Sequence, residues 1–519
     1  MSKQSTGPAW KDPLKSVTTG PLAGDLTCDV CVVGAGMAGL TTAYMLARVG
    51  RQVVIIDHAD SPGGGETRYT TAHLSSVIDD RFSEVARVRG KDAARLARES
   101  HAAAVDRIEA NIKAEGIDCG FRRLEGHLFP APGDEKLIRE EYDAAKAAGC
   151  QVELLPEVPI PSLGKGPCLR FADQATFEPS RYTAGLWAAA SRLGARFYGR
   201  TRARDVRGGG QVEVETERGK ITAAAVIVAT NTPFYTRVVM HTKVAAYQTY
   251  AVAGPVPRGS VPDGLFWDTL DPYHYVRLIT AQDRGEPAAD TDLLLVGGAD
   301  HRTGQDRDPG RRWDDLEQWT RERFPQLGAV AFRWSGEVME TPDGLGFIGA
   351  DPTGMKNVYL ATGDSGMGMT HGTIAGILLS DLVHGRANPW AALYDPARLP
   401  VKAAGELASE GVSMALPYTD WLTGGDVKSV GDIQPGQGAV VRRGLSKLAV
   451  YRDDAGTLHA CSAVCPHLGA IVRWNPAEKT WDCPAHGSRY AATGEVFHGP
   501  AHVGLGKAEL EVKADGRPA

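Results

Sequence analysis

The sequence predicts an α/β nucleotide-binding domain joined to an antiparallel-sheet domain, followed by a small all-β module. Three observations carry this prediction. Residues 29–57 run as a strand, a turn Gly34-Ala35-Gly36-Met37-Ala38-Gly39, a helical pattern through Leu46 and a second strand Val53-Val54-Ile55-Ile56-Asp57, which is a βαβ unit. From about Val244 to Val338 short strand-like runs succeed one another, interrupted by an amphipathic helix around Trp313 to Phe324. From Asp426 onward, short alternating segments such as Lys447-Leu448-Ala449-Val450-Tyr451 are parted by turn residues.

The remaining elements follow in order. Arg181 to Leu193 reads as a helix, with apolar Leu186, Trp187, Ala190 and Leu193 on one face. Strand-like runs follow at 195–206, 211–216 and 221–228, separated by Gly208-Gly209-Gly210 and Gly219-Lys220 turns. The apolar strand Val358-Tyr359-Leu360-Ala361 leads through a Gly-rich turn into a helix from His371 to Val383. These signals divide the chain into an N-terminal extension (1–26), a large α/β region (27–385, with the inserted sheet at roughly 240–340), a Pro- and Ala-rich linker (386–425) and the C-terminal module (426–519).

Length and composition set the frame. At roughly 100–200 residues per domain, 519 residues hold several cores. Sixty-one glycines, about 12% of the chain, imply many tight turns and close backbone approaches to ligand. A formal net charge of −6 gives no electrostatic reason to expect nucleic acid or an anionic membrane as partner, so a small-molecule substrate comes first. Met1 to Gly24 holds no apolar run able to serve as a signal peptide, and no stretch of about 18 apolar residues exists for membrane insertion. A cytoplasmic location is expected, with the eight cysteines reduced. Cys31 falls inside the first strand, so Cys28 and Cys31 are expected to be buried thiols and not a redox pair.

Gly34-x-Gly36-x-x-Gly39 follows a strand and opens a helix, and Asp57 ends the next strand. The first Gly makes the turn, the second admits a pyrophosphate and the third lets helix pack on strand, while Asp57 is placed to accept from a ribose. The motif alone does not separate NAD from FAD. Four segments do so by resemblance: the Gly motif; Gly64-Gly65-Glu66-Thr67-Arg68-Tyr69-Thr70-Thr71-Ala72; Val226-Ile227-Val228-Ala229-Thr230-Asn231; and Asp343-Gly344-Leu345-Gly346-Phe347-Ile348-Gly349 with Gly363-Asp364-Ser365-Gly366-Met367-Gly368-Met369-Thr370-His371. Together they resemble the FAD-dependent oxidoreductases of the D-amino-acid oxidase type, which include glycine and sarcosine oxidases. The resemblance implies an α/β FAD-binding (Rossmann-like, βαβ) domain with an antiparallel-sheet substrate domain. It places FAD against Gly34, Gly36, Gly39, Asp57, Thr70, Thr71, Ala229, Thr230, Gly363, Gly366 and Met367. Asn231 stands where the family usually has Gly, and Gly346 where it usually has Pro. Non-covalent FAD is expected, with His73 leaving covalent attachment open.

Cys465-Pro466-His467-Leu468-Gly469 and Cys483-Pro484-Ala485-His486-Gly487-Ser488 each supply one Cys and one His. Two thiolates and two imidazoles suit a [2Fe–2S] cluster. Zinc accepts the same donors but usually pairs Cys with Cys and His with His at close spacing. The segment 426–510 closely resembles a Rieske domain, which implies Cys465, His467, Cys483 and His486 as cluster ligands and Ser488 and Tyr490 as hydroxyl donors to the cluster sulfurs. Cytochrome-bc-type Rieske proteins join their cluster loops by a disulfide at the positions of Ala470 and Ala485, so no such bridge forms here. All four ligands lie within 426–519, which predicts a small all-β Rieske domain able to fold alone.

The resemblance puts substrate between the FAD domain and the sheet, where Tyr247, Tyr250, Tyr273, His274, Tyr275, Arg277, Asp300, His301 and Arg302 are candidates. Arg277 is placed to clamp a substrate carboxylate, or else to lie on the solvated face of its strand. Arg68, His274 and Arg277 are the expected catalytic residues. The expected activity is hydride transfer from a small amine, amino acid or hydroxy compound to FAD, with electrons leaving through the cluster to an unidentified one-electron acceptor. An electron-transfer or redox-sensing protein without an organic substrate, and an oxygen-using oxidase, are the alternatives.

Overall fold

The computed structural model describes all residues except 1–4, 11–18, 236–239, 287–288, 400–410 and 511–519. Parts of the expected N-terminal extension and linker therefore lie outside the described residues. The chain divides into two units: Met1–Asn231, Thr249–Asp300 and Trp313–Ala403 form the first, and Thr232–Gln248, His301–Arg312 and Ala404–Ala519 the second.

The first unit is organised around strand Leu26–Val33. It pairs in parallel with Val53–Ile56 on one side and Gly219–Val228 on the other, in a sheet whose order continues outward to Arg196–Tyr198 at one edge and to Val358–Thr362 and Phe347–Ala350 at the other. Val30 to Val33 and Val53 to Ile56 are buried throughout, as a parallel sheet covered on both faces requires. Helix Met37–Arg48 makes the crossover and packs on helix Gly368–Val383. Gly372 and Gly376 permit that approach: a Cβ on Gly376 would stand 2.4 Å from Thr41 Cγ2.

A second sheet runs Phe332–Glu340, Ala245–Pro257, Thr291–Arg302, His274–Ile279, Leu265–Asp268, Arg122–Phe129 and Cys168–Thr176. The run from Val244 to Val338 thus supplies only part of it, because strands from 122–129 and 168–176 extend the same sheet. The sheet is mixed: Leu265–Asp268 pairs in parallel with Arg122–Phe129, whereas the neighbouring pairings are antiparallel.

The second unit holds two antiparallel sheets, Gln437–Arg443 with Ser446–Arg452 and Leu458–Ser462, and Arg473–Asn475 with Thr480–Asp482, Arg489–Ala491 and Val496–His498. Trp481 and Tyr490 are fully buried between them with Val440, Ala449 and Val472. Its other two segments, 232–248 and 301–312, come from within the region expected to be oxidoreductase. Part of 386–425 is also structured. Arg398 joins the first unit, and the 3₁₀ turn Leu416–Leu422 joins the second. Among the described residues, no helix is long and apolar enough to cross a membrane.

Candidate active site and metal centre

The glycine motif forms a turn in which backbone excludes a side chain at Gly34 and Gly39 but not at Gly36. Gly34 has φ +106°, and a Cβ there would lie 2.3 Å from the carbonyl oxygen of Ala229. A Cβ on Gly39 would lie 1.9 Å from the carbonyl oxygen of Gly34. At Gly36 the nearest atom is Thr67 Oγ1 at 3.1 Å, the atom that also accepts the Met37 N–H at 3.0 Å at the helix start. Sequence reasoning quoted Thr67 without giving it this role.

Asp57 ends its strand as expected. Its carboxylate braces the motif, accepting from Ala35 N–H at 2.7 Å and Ala59 N–H at 2.8 Å. Burial works against its charge, but His58 and these two N–H groups together hold its carboxyl below the usual range. A carboxylate has about four acceptor sites, so capacity for a ribose remains.

The Gly363–Met367 turn lies against the Asp343–Gly349 segment through one histidine. His371 Nε2 accepts the Gly346 N–H at 3.2 Å, and its Nδ1 faces the Asp364 carbonyl at 2.8 Å. Burial pushes this imidazole down to about 4, so it is neutral and both contacts are satisfied by one tautomer. The departure from Pro at Gly346 thus supplies the N–H that His371 uses. Asn231 adopts φ +63°, a conformation Asn tolerates better than most residues, and its carbonyl accepts from Thr362 Oγ1.

Asp343 is held by two arginines. Arg398 reaches its oxygens at 2.8 and 2.9 Å and donates to the Gly346 carbonyl at 2.8 Å, and Arg89 adds a contact at 2.7 Å. Burial alone raises the Asp343 carboxyl, but Arg398 and then Arg89 hold it below the usual range. Arg398→Ala should destabilise the first unit by about 3–5 kcal/mol, since it strips a buried carboxylate of its main partner. A carboxyl depressed in the folded state stabilises above its unfolded pKa and loses that contribution as pH falls through the folded value. The gap between parent and variant should therefore close in thermal melts taken below about pH 4.

Beside this turn stands a group of carboxylates. A Cβ on Gly366 would meet Asp79 Oδ2 at 2.4 Å, a Cβ on Gly344 would meet Asp80 Oδ2 at 2.2 Å, and Tyr273 donates its hydroxyl to Asp79 at 3.0 Å. Burial, then the charge of Asp80, pushes the Asp79 carboxyl up to about 8. Burial pushes Asp80 and Asp364 up to about 6. It raises Glu340 further, with Asp80, Asp79, Asp364 and Asp300 adding to the effect. Sequence reasoning named Asp300 as a substrate-site candidate but singled out none of Asp79, Asp80, Glu340 and Asp364 as functional, because nothing in their spacing marks them.

The three expected catalytic residues are placed differently from one another. Arg68 is exposed, its guanidinium 4.7 Å from the centre of the Tyr69 ring. His274 Nδ1 contacts Asp268 at 2.9 Å, and its ring stacks on Trp319 at 4.3 Å. Arg277 is 2% exposed, and its Nη1 donates to the carbonyls of Thr71 and Ala72 at 3.1 and 2.6 Å. Cys28 and Cys31 are both buried, and burial raises both thiols, Cys28 to about 12.

In the second unit the two Cys/His loops have the same backbone. Cys465 N–H donates to the Ala470 carbonyl and Cys483 N–H to the Ser488 carbonyl, each at 2.8 Å. Gly469 and Gly487 N–H return to the carbonyls of Cys465 and Cys483, each at 3.0 Å, with φ +81° and +82°. Glycine at those two positions closes the turns without steric cost. The loops present two buried thiols, Cys465 and Cys483, and two imidazoles with ring centres 5.0 Å apart. The Cys465 thiol is pulled down to about 6 by hydrogen bonds led by Cys483, against burial and with help from Tyr490 and Ser488, and Cys483 is raised in return. The Tyr490 hydroxyl lies 3.0 Å from Cys465 Sγ, and Ser488 Oγ also accepts the Ala501 N–H at 3.0 Å. Two soft thiolates and two imidazoles, with hydroxyl donors at the sulfur, fit a two-iron cluster.

Residues outside 426–519 support these loops. Tyr418 and Trp421 donate to the carbonyls of Leu468 and Gly469 at 3.1 and 2.9 Å. Gln305 donates to the Pro484 carbonyl at 3.0 Å, and the His241 ring centre is 4.5 Å from that of His467.

Comparison with known proteins accords with both sites. Residues 29–382 match the DAO family, FAD dependent oxidoreductase, which is more than half of the chain. The chain belongs to that family. Residues 425–509 match the Rieske [2Fe-2S] domain. This family member is similar along nearly its whole length to the Rieske 2Fe-2S iron-sulfur protein YhfW of Bacillus subtilis (strain 168), with 30% identity over 98% of this chain and 99% of the relative. It is also similar to γ-glutamylputrescine oxidoreductase of Escherichia coli (strain K12), with 27% identity over 76% of this chain and 92% of the relative. Among solved structures, glycine oxidase from Geobacillus kaustophilus shares the fold at a TM-score of 0.59 and 20% identity, covering 72% of this chain and 99% of the other. The cofactors are FAD and a [2Fe–2S] cluster.

Proposed function

We propose that this oxidoreductase oxidises a small amine and passes the electrons singly to an acceptor by way of the Cys465, His467, Cys483 and His486 centre. When bound, FAD takes up two electrons with a hydride equivalent and the cluster carries one electron, chemistry that no side chain of the chain supplies. The protein's own contribution is charge. Asp79, Asp80, Glu340 and Asp364 gather at the Gly363–Met367 turn, and that gathering is the observation that carries the reading. A cationic ammonium entering among them favours their ionised forms and is favoured in return. Arg277 supports the same choice from the other side, since its Nη1 is occupied by main-chain carbonyls and is not offered to a substrate carboxylate. The similarity to a relative named for γ-glutamylputrescine, itself an amine, points the same way.

Asp79→Asn should raise the KM for an amine roughly 10–100-fold, the loss expected for one hydrogen bond to a charged group. Amine affinity of the parent should rise with pH as these carboxyls ionise, up to about 8, the value to which burial pushes Asp79. The deciding screen mixes the holoprotein anaerobically with putrescine, monoamines, amino acids and NAD(P)H while flavin bleaching is followed. Bleaching by amines is the expected result. Bleaching by NAD(P)H alone would assign the chain to electron transfer without an organic substrate.

A further inference from the structure

Trp10 and strand His274–Ile279 converge on one short stretch of backbone, Thr70–Ala72. Trp10 precedes the matched stretch 29–382 by 19 residues, yet it is only 8% exposed. Its indole Nε1–H donates to the Thr70 carbonyl at 2.7 Å, and the Arg277 guanidinium lies 5.6 Å from its ring centre. Arg277 takes the next two carbonyls, those of Thr71 and Ala72, through Nη1. Its Nε donates to the Leu278 carbonyl at 3.2 Å, and its Nη2 stands 3.7 Å from Asp283 Oδ2. Three successive carbonyls therefore end on two buried side chains.

The backbone between them is bent in a way alanine seldom tolerates. Ala72 is fully buried with φ +53°, where its Cβ crowds the following carbonyl oxygen. Its N–H turns back to Thr70 Oγ1 at 3.1 Å. In a trans peptide the carbonyl of one residue points opposite to the N–H of the next. Holding the Thr70 and Thr71 carbonyls toward Trp10 and Arg277 consequently turns the N–H groups of Thr71 and Ala72 away from them; Thr70 Oγ1 takes the Ala72 N–H, so the Thr71 N–H is the one the bend aims outward.

We propose that Trp10 and Arg277 are positioning residues that hold Thr70–Ala72 in its left-handed bend and so fix the peptide dipoles offered to the flavin. The proposal rests on the reading that Gly64–Ala72 runs beside the flavin. On that reading a Thr71 N–H held in one direction would favour negative charge on the ring, and therefore reduced flavin, more than a mobile one would.

Trp10→Phe tests this in the full-length holoprotein, because phenylalanine keeps an aromatic ring beside Arg277 and cannot donate. FAD content, melting temperature and the two-electron flavin potential are measured together by dye equilibration. The variant should keep its FAD and melt near the parent, while its preference for reduced over oxidised flavin falls about three- to tenfold, a potential lowered by about 15–30 mV at 29.6 mV per tenfold. Adding Ala72→Gly should restore at least half of that shift, since glycine adopts the bend without a Cβ clash. A parent-like potential in Trp10→Phe overturns the proposal, and so does a shift that Ala72→Gly leaves whole. A parent protein that binds no FAD would instead overturn the cofactor placement on which the proposal rests.

Discussion

Gly39→Ala should destabilise the nucleotide-binding unit by about 3 kcal/mol or more and empty its FAD site, the upper end of what overpacking costs. The new methyl would sit 1.9 Å from the Gly34 carbonyl oxygen, and Gly34 has no room to retreat because its own Cβ position lies 2.3 Å from the Ala229 carbonyl. Backbone therefore blocks backbone on both sides, at the carboxyl end of the central strand Leu26–Val33. Gly36→Ala is the internal control. Its Cβ meets only the Thr67 hydroxyl at 3.1 Å, so the fold should survive and the loss should fall on FAD affinity. Circular-dichroism melts with FAD content read alongside separate the two cases. A Gly39→Ala protein that melts and binds FAD like the parent would contradict the packing described.

Cys483→Ser should lose the [2Fe–2S] cluster entirely, with iron and acid-labile sulfide falling to background. Serine offers a hard hydroxyl with a far higher pKa where a thiolate is required. FAD should remain, because every segment of the glycine cradle belongs to the first unit. Arg489 gives a milder version: it ties Asp482 at 3.1 Å immediately before the second loop, so Arg489→Ala should lower cluster content without abolishing it.

Much of this was legible in the sequence because it rests on local backbone rules. The glycine motif, the Asp57 strand end and the two Cys/His loops depend on residues close in the chain, and the structure places all of them as turns and strand ends. The helix Lys91–Glu115 carried a weaker signal. Its buried face is Ala93, Ala94, Ala97, Ser100, His101, Ala104, Val105, Ile108 and Asn111, in which small and polar residues outnumber the two large apolar ones, so the hydrophobic periodicity is weak. Long-range pairing was not legible either. Nothing near 122–129 announces that it joins Leu265–Asp268, and nothing near Gln305 announces Pro484. For the same reason Arg277 read either as a substrate clamp or as a residue on the solvated face of its strand: it is 2% exposed, and its partners Thr71 and Ala72 lie about 205 residues earlier. The acidic group at Asp79, Asp80, Glu340 and Asp364 exists only once the chain has folded.

Anaerobic rapid mixing of Cys483→Ser with the best amine of the screen, followed by ferricyanide, shows whether electrons enter at FAD and leave by the Cys/His centre. Flavin should bleach at the parent rate, while acceptor reduction should slow at least tenfold. Equal acceptor reduction with and without the cluster would contradict that route.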